Sequence, residues 1–222
     1  MKLSLINLFF LGIVIMLITI GNRPSERAAV CLTSAQDSVV VQDTIPIEEK
    51  YPEVKELLIL IPQQQRDSFV SISQRFAKRR GLDWRFLLYV FYQESGIQPT
   101  LRSGNYAGIC QFGSVAREML GVSMKELLSM NHVQQLRLAI RMWKMSEDWR
   151  GMIHTPLDLV LLNFAPAWVG HKGNPYPASQ LIITSNPAVV DNNGQITKHS
   201  ILKFIRRKVA RDENLAYFVG KI

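Results

Sequence analysis

Cysteine is scarce in this chain: Cys31 and Cys110 are the only two in 222 residues. So small a number supplies no disulfide framework, and the fold has to rest on its own core. The four histidines, His132, His154, His171 and His199, share no metal-ligand spacing with the cysteines, which argues against a zinc site. Disorder on a large scale is excluded too, because 47% of the residues are hydrophobic and can bury a sizeable core. Negative charge is in the minority: the net charge is +8 and the pI about 9.7. A basic surface favours an anionic partner, which leaves nucleic acid, a membrane face and an acidic wall polymer open.

Long apolar runs are equally rare, with one exception. Residues 3–20 carry no charge and follow Met1-Lys2. Their length lies between a signal peptide and a membrane-spanning helix. Small residues at Thr19-Ile20-Gly21 suit cleavage, so residues 1–21 read as a signal peptide or membrane anchor. Export to the periplasm or cell envelope follows, either soluble or tethered through residues 3–20. Residues 22–50 are polar and aperiodic, punctuated by Pro24 and Pro46, and read as a linker. Acidic residues prevail in that linker, so the positive charge belongs to the folded part.

From residue 51 onward the apolar spacing is helical. Val54, Leu57, Leu58 and Ile61 suggest one helix over 51–61, and Phe69, Ile72 and Phe76 a second over 63–80, stopped by Gly81. Lys78, Arg79 and Arg80 fall in the last turn of the second, where cations suit the helix dipole. Ser114 can cap a short helix to Leu120, and Ser123 with Glu126 has the capping-box pattern. A longer helix over 132–147 presents Val133, Leu136, Ile140 and Trp143 as a core stripe. Thr155-Pro156 opens another, to about Phe164. Residues 171–187 read as loop with one apolar piece at 181–183. Residues 189–200 look like a calcium loop around Asp191, Asn193 and Gly194, but the register puts Val189 and Ser200 where carboxylates belong, so an ordinary turn is expected. Thr197 then caps a basic helix over 198–211, on which Ile201, Phe204, Ile205 and Lys208 mix apolar and cationic character.

The stretch over 86–112 organises the rest. Its apolar run, Phe86 through Tyr92, ends in Gln93-Glu94-Ser95-Gly96. Asp83 suits a helix start and Gly96 a left-handed stop, so a buried helix is expected from Trp84 to about Ser95. Glu94 then lies in the last turn, where the dipole opposes negative charge and apolar neighbours penalise ionisation. Both effects raise its pKa, as a general acid requires. The alternative is a solvated glutamate at a frayed end. No Asp or Glu occurs from Ser95 through Arg117, so no second carboxylate is evident nearby.

Glu94-Ser95-Gly96, followed by Gly108-Ile109-Cys110-Gln111, resembles the glutamate–serine–glycine and glycine–x–x–glutamine signature of the lytic transglycosylase domain, in the lysozyme-like superfamily. Leu162-Asn163-Phe164-Ala165-Pro166 is similar to that family's third motif, tyrosine–asparagine–alanine–glycine–proline. The resemblance spans about residues 64–170. The departures are Leu162 for tyrosine, Ala165 for glycine, and Cys110 where methionine is common. Loss of the tyrosine removes a hydroxyl that usually points at the catalytic glutamate.

The resemblance implies a mainly α, lysozyme-like domain over 51–170, with a C-terminal extension, 171–222, packed on it. It implies cleavage of the MurNAc–GlcNAc β-1,4 bond of peptidoglycan with 1,6-anhydro ends, by a single glutamate and no cofactor or metal. Glu94 is the implied acid and base. Ser95 is the implied support of its carboxyl group. Tyr106, Gly108, Gln111 and Asn163 are the implied substrate contacts. The implied partner is the peptidoglycan glycan strand. Export argues against nucleic acid. Two other readings stand beside this one: a lysozyme-type hydrolase with an aspartate across the cleft, and an inactive, membrane-tethered wall-binding or assembly protein.

Overall fold

The computed structural model describes residues 45–150, 153–165 and 168–222. The apolar segment 3–20, most of the linker, Cys31 and Pro166 lie outside the described residues. Among the described residues, no helix is long and apolar enough to cross a membrane.

The architecture is mainly helical. The elements are α1 Ile47–Lys50, α2 Lys55–Leu58, α3 Gln63–Lys78, α4 Arg85–Ser95, α5 Ser114–Leu120, α6 Met124–Ser129, α7 His132–Arg150, α8 Pro156–Phe164, α9 Gln180–Ser185 and α10 Lys198–Val209, with a closing 3-10 helix, Glu213–Phe218. Between α4 and α5 lies a two-stranded antiparallel hairpin, β1 Arg102–Ser103 and β2 Tyr106–Ala107, in the register Arg102 to Ala107 and Ser103 to Tyr106.

Helix α4 runs through the core. Its residues 86–91 are all buried, as befits a helix surrounded by neighbours on every side. Each such side chain gains about 1.5–3 kcal/mol on burial, so tertiary packing holds this short helix more than its own propensity. Phe91 stacks on Trp143 of α7 at 5.6 Å, and Phe69 of α3 meets Phe91 edge-on at 6.0 Å. α3 packs along α7, and α8 against α4. Gly96 closes α4 at φ 63°, where a side chain is disfavoured.

The local stop and start signals have clear counterparts. Ser123 and Glu126 close a capping box on α6, and Thr155 with Asp158 does the same on α8. Thr197 and Ser200 form the equivalent on α10. Asp191 Oδ1 accepts from the backbone N–H of Asn193 at 2.9 Å and of Gln195 at 3.0 Å, which makes residues 189–200 a side-chain-stabilised turn.

Several expectations are corrected. Residues 51–61 are a 3-10 turn, Pro52–Val54, followed by the single turn α2, because Val54 leaves helical geometry at φ -129°. Gly113, not Ser114, is the N-cap of α5. α7 continues to Arg150 and α10 stops at Val209. The apolar piece at 181–183 belongs to α9, because Ile182 and Ile183 pack on the core. Packing also begins before residue 51: Ile47 lies against the core, and Glu48 pairs with Arg66. Arg80 is no dipole-facing surface cation. It is buried, makes a forked ion pair with Glu147 of α7, and stacks 3.8 Å over Phe76.

Candidate functional site

Glu94 sits in the last turn of α4 and is half-buried. Its Oε2 is enclosed and has no hydrogen-bond partner. Burial pushes the carboxyl pKa up to about 7; Asn163 and the charge of Lys208 pull the other way. Burial dominates because losing water costs a carboxylate more than one loose donor and one cation's charge return.

Asn163 reaches Glu94 from α8, and its orientation is set by two donors. Trp143 Nε1–H donates to Asn163 Oδ1 at 3.1 Å, and the Cys110 thiol donates to the same oxygen at 3.2 Å. An indole N–H cannot accept, so the amide oxygen must face this pair and Nδ2 the other way. Asn163 Nδ2 and Glu94 Oε2 are both buried, and neither makes a hydrogen bond of standard geometry. The amide is nonetheless near enough to lower the pKa of Glu94. We therefore read the pair as a loose contact rather than a formed bond. Leu162 is buried in the core.

Other groups feel the same carboxyl group. Burial and the Glu94 charge push the Cys110 thiol well up, and both also raise Tyr89. Lys208 of α10 is held below its ordinary value by burial, while Glu94 and Asp212 raise it. Several carboxylates have structural duties instead. Asp158 Oδ2 accepts from Thr155 N–H at 2.8 Å and His154 N–H at 3.1 Å, and Glu147 pairs with Arg80. Glu118 is exposed on α5.

The loop after α4 holds the remaining sequence candidates. Ser95 is buried, and its hydroxyl lies 3.2 Å from the Phe91 carbonyl and 3.0 Å from the Ile109 carbonyl, while accepting from Gln98 N–H at 3.2 Å. Its role toward Glu94 is therefore indirect: it ties the end of α4 to the loop that carries Cys110.

Gln111 is buried at φ 47°, an uncommon conformation for a side chain of this kind. Its Nε2 donates to the Gly108 carbonyl at 3.0 Å, so the amide nitrogen is turned onto its own loop.

Gly108 also serves a different neighbour from the one expected. A Cβ there would lie 2.4 Å from Gln135 Oε1. The close approach it permits is to Gln135, which is fully buried and accepts from Ile109 N–H at 2.8 Å. Gln135 Nε2 also donates to the carbonyls of Pro99 and Leu127, each at 2.8 Å. Tyr106 lies half-buried on β2 with its ring over Gly113, whose Cβ would meet Cε1 at 2.9 Å. Phe112 is core.

The structure thus gathers Asn163, Cys110 and Trp143 beside Glu94, while Tyr89 and Lys208 are linked to it only through charge. It leaves Gly108, Gln111 and Ser95 as the frame of the loop. Lys208 and Gln135 escaped the sequence reading as functional positions. For Lys208 a signal existed: it continues the apolar spacing of Ile201, Phe204 and Ile205. Compared with protein-family models, with curated proteins and with solved structures, the chain finds no match in any of the three.

Proposed function

We propose that this chain is a peptidoglycan lytic transglycosylase with a lysozyme-like domain, exported and held in the cell envelope. The observation that carries the reading is Glu94: a carboxyl group with one enclosed, unpartnered oxygen and a pKa near 7, in a sequence with no Asp or Glu from Ser95 through Arg117. Near neutral pH such a group is populated in both protonation states, so it can give a proton and later take one. Two-carboxylate hydrolysis instead needs a partner about 5–9.5 Å away.

The steps follow from that single group. Glu94 protonates the glycosidic oxygen as the C1–O bond breaks. The N-acetyl group of the substrate stabilises the cation left at C1. Glu94, now a carboxylate, takes the proton of the C6 hydroxyl as that oxygen bonds to C1. The product is a 1,6-anhydro sugar, the proton count closes on Glu94, and no water is consumed. Asn163 is the polar group poised beside the carboxyl, and the motif resemblance around Glu94-Ser95-Gly96 and Gly108 to Gln111 supports the assignment. The basic surface suits an acidic polymer.

The test is incubation of the full chain with purified peptidoglycan sacculi, with Glu94→Gln in parallel and products identified by mass spectrometry. Anhydro-muropeptides from the wild type and none from the variant are expected. Reducing-end products would make the enzyme a hydrolase. Sacculi bound but uncut by both proteins would replace the enzyme with a wall-binding module.

A further inference from the structure

The loop that follows α4 is strained at both ends. Ile97 at φ 60° and Gln111 at φ 47° are non-glycine residues in the left-handed region, and Ile97 is β-branched, a type that rarely enters it. Such a conformation persists where neighbouring contacts over-determine it. Here one side chain supplies much of that constraint: Gln135, fully buried in the first turn of α7. Its amide oxygen and both N–H groups are engaged. Oε1 accepts from Ile109 N–H, and Nε2 donates to the carbonyls of Pro99 and Leu127, each at 2.8 Å. Pro99 and Ile109 are the two feet of the β1–β2 hairpin, and Leu127 belongs to α6. Gly108 leaves the space the amide needs, since a Cβ there would strike Oε1.

Ile109 passes the constraint on. Gln135 holds its N–H, and its carbonyl lies 3.0 Å from the hydroxyl of Ser95, the residue after Glu94. The next residue, Cys110, donates to Asn163 Oδ1 at 3.2 Å. We propose that Gln135 is a positioning residue of the Glu94 site: a buried tie that fixes both feet of the hairpin, and so holds Ile109 and Cys110 against the end of α4 and the Asn163 amide. Its consequence for catalysis rests on Glu94 being the acid and base proposed above; the tie itself does not. The hairpin has a second tie, from Arg117 Nη1 to the carbonyls of Asn105 at 2.6 Å and Phe112 at 2.8 Å. The Asn105 contact is exposed, where water can replace it at little cost. Gln135 has no such substitute, because its partners are out of reach of solvent. Releasing the feet lets the hairpin move as one lobe and admits water to Cys110 and to the carboxyl group beside Asn163.

Cys110, a free and buried thiol, reports on the opening. In the full chain in detergent micelles, with Cys31→Ser as the parent, its reaction with an aromatic disulfide reagent measures how often the loop opens. Gln135→Met keeps the length of the side chain and removes its hydrogen bonds. The thiol is expected to react at least about tenfold faster in Gln135→Met than in the parent, at a rate nearly flat in dilute urea, because a local opening exposes little surface. Arg117→Met is expected to stay within about twofold of the parent. An unchanged rate in Gln135→Met, a rise as steep in urea as global unfolding, or an equal rise in Arg117→Met overturns the proposal. Amide exchange in the unaltered chain needs no variant: Ile109 N–H should exchange at least about a hundredfold more slowly than N–H of Asn105 at the exposed hairpin tip, and equal rates also overturn it. The link to Glu94 is read from its carboxyl carbon by NMR, with Glu94→Gln identifying the signal. Water admitted by Gln135→Met lowers the Glu94 midpoint, which a loss of packing elsewhere would not do, and an unmoved midpoint overturns the positioning role. A loosened loop and a lowered midpoint in a chain that leaves sacculi uncut would uphold the tie and remove the transglycosylase reading. With activity present, the alkaline limb of the pH–rate profile moves to lower pH in Gln135→Met.

Discussion

Glu94 and Glu147 are two carboxylates close to the same aromatic layer, put to opposite uses. Glu147 lies one turn beyond Trp143 on α7 and is fully engaged: Arg80 binds both of its oxygens, and Ile153 N–H donates to Oε1 at 3.2 Å. Glu94 is reached from Trp143 through the Asn163 amide and has an enclosed oxygen without a partner. The first carboxylate holds α3 to α7. The second is left with enough uncompensated burial to titrate near neutrality. What differs is the geometry of the donor: a bidentate guanidinium satisfies a carboxylate, whereas one loose amide does not.

Removing each carboxylate separates those uses. Glu94→Gln is expected to lower the yield of anhydro-muropeptides by about 10³-fold or more while leaving the fold in place, since it deletes a group with little structural duty. Mass spectrometry of the digest together with a thermal melt checks both halves. Glu147→Gln should do the reverse. It leaves the buried Arg80 guanidinium without its countercharge, and breaking such a pair costs about 3–5 kcal/mol. Denaturant unfolding measures that loss. A mild effect would mean that Arg80 finds water, and that the contrast between the two carboxylates is smaller than drawn.

The pH dependence of stability sharpens the same contrast. The carboxyl group of Glu94 ionises near pH 7 when folded, against an ordinary value of 4.5. Between those values the folded state keeps a proton that the unfolded state has lost. Its contribution to stability is therefore full below about pH 4.5 and is lost as pH rises through about 7. The size is on the order of 2 kcal/mol, reduced from the full shift because one side of the residue is open to solvent. Asp83 acts oppositely: hydrogen bonds to Tyr217 and Arg85 overcome its burial and hold its carboxyl below the usual range, so its contribution is lost in acid. Subtracting the stability curve of Glu94→Gln from that of the wild type isolates the Glu94 part. A flat difference between pH 4.5 and 7 would show that Glu94 is better solvated than its surroundings suggest.

Much of this was legible from local signals. Gly81, Gly96, Ser123, Thr155-Pro156 and Thr197 act on their own turn of chain, and the helix boundaries they imply are nearly those observed. Glu94 was legible for the same reason: its apolar run and its glycine stop are adjacent to it. Arg80 was misread because its partner lies 67 residues away, and a cation at a helix end has a sufficient local explanation. Gly108 and Gln111 were recognisable as special positions, but not the direction in which they face. Gln135, 26 residues beyond Ile109, decides that. Lys208 stood on an apolar stripe without anything nearby in sequence to say what it approached. Burial and charge balance are properties of neighbours in space, and only the folded chain supplies those.

The smallest expected effect tests how the Asn163 amide is held. Cys110 and Trp143 both donate to its Oδ1, and they are not equal donors. A thiol gives a weak hydrogen bond, an indole N–H an ordinary one. Cys110→Ala removes the weaker of the two and about one atom of packing, so it should cost about 1 kcal/mol or less in stability. The amide keeps its orientation through Trp143, so the Glu94 ionisation constant and the rate on sacculi should change less than about twofold, under ~0.4 kcal/mol. Titration of the Glu94 carboxyl carbon and a muropeptide time course read the two effects separately. A large loss of activity at unchanged stability would give the thiol a part in the chemistry that its geometry does not suggest. It would also make the carboxylate site depend on the loop at 108–112 as strongly as Glu147 depends on Arg80.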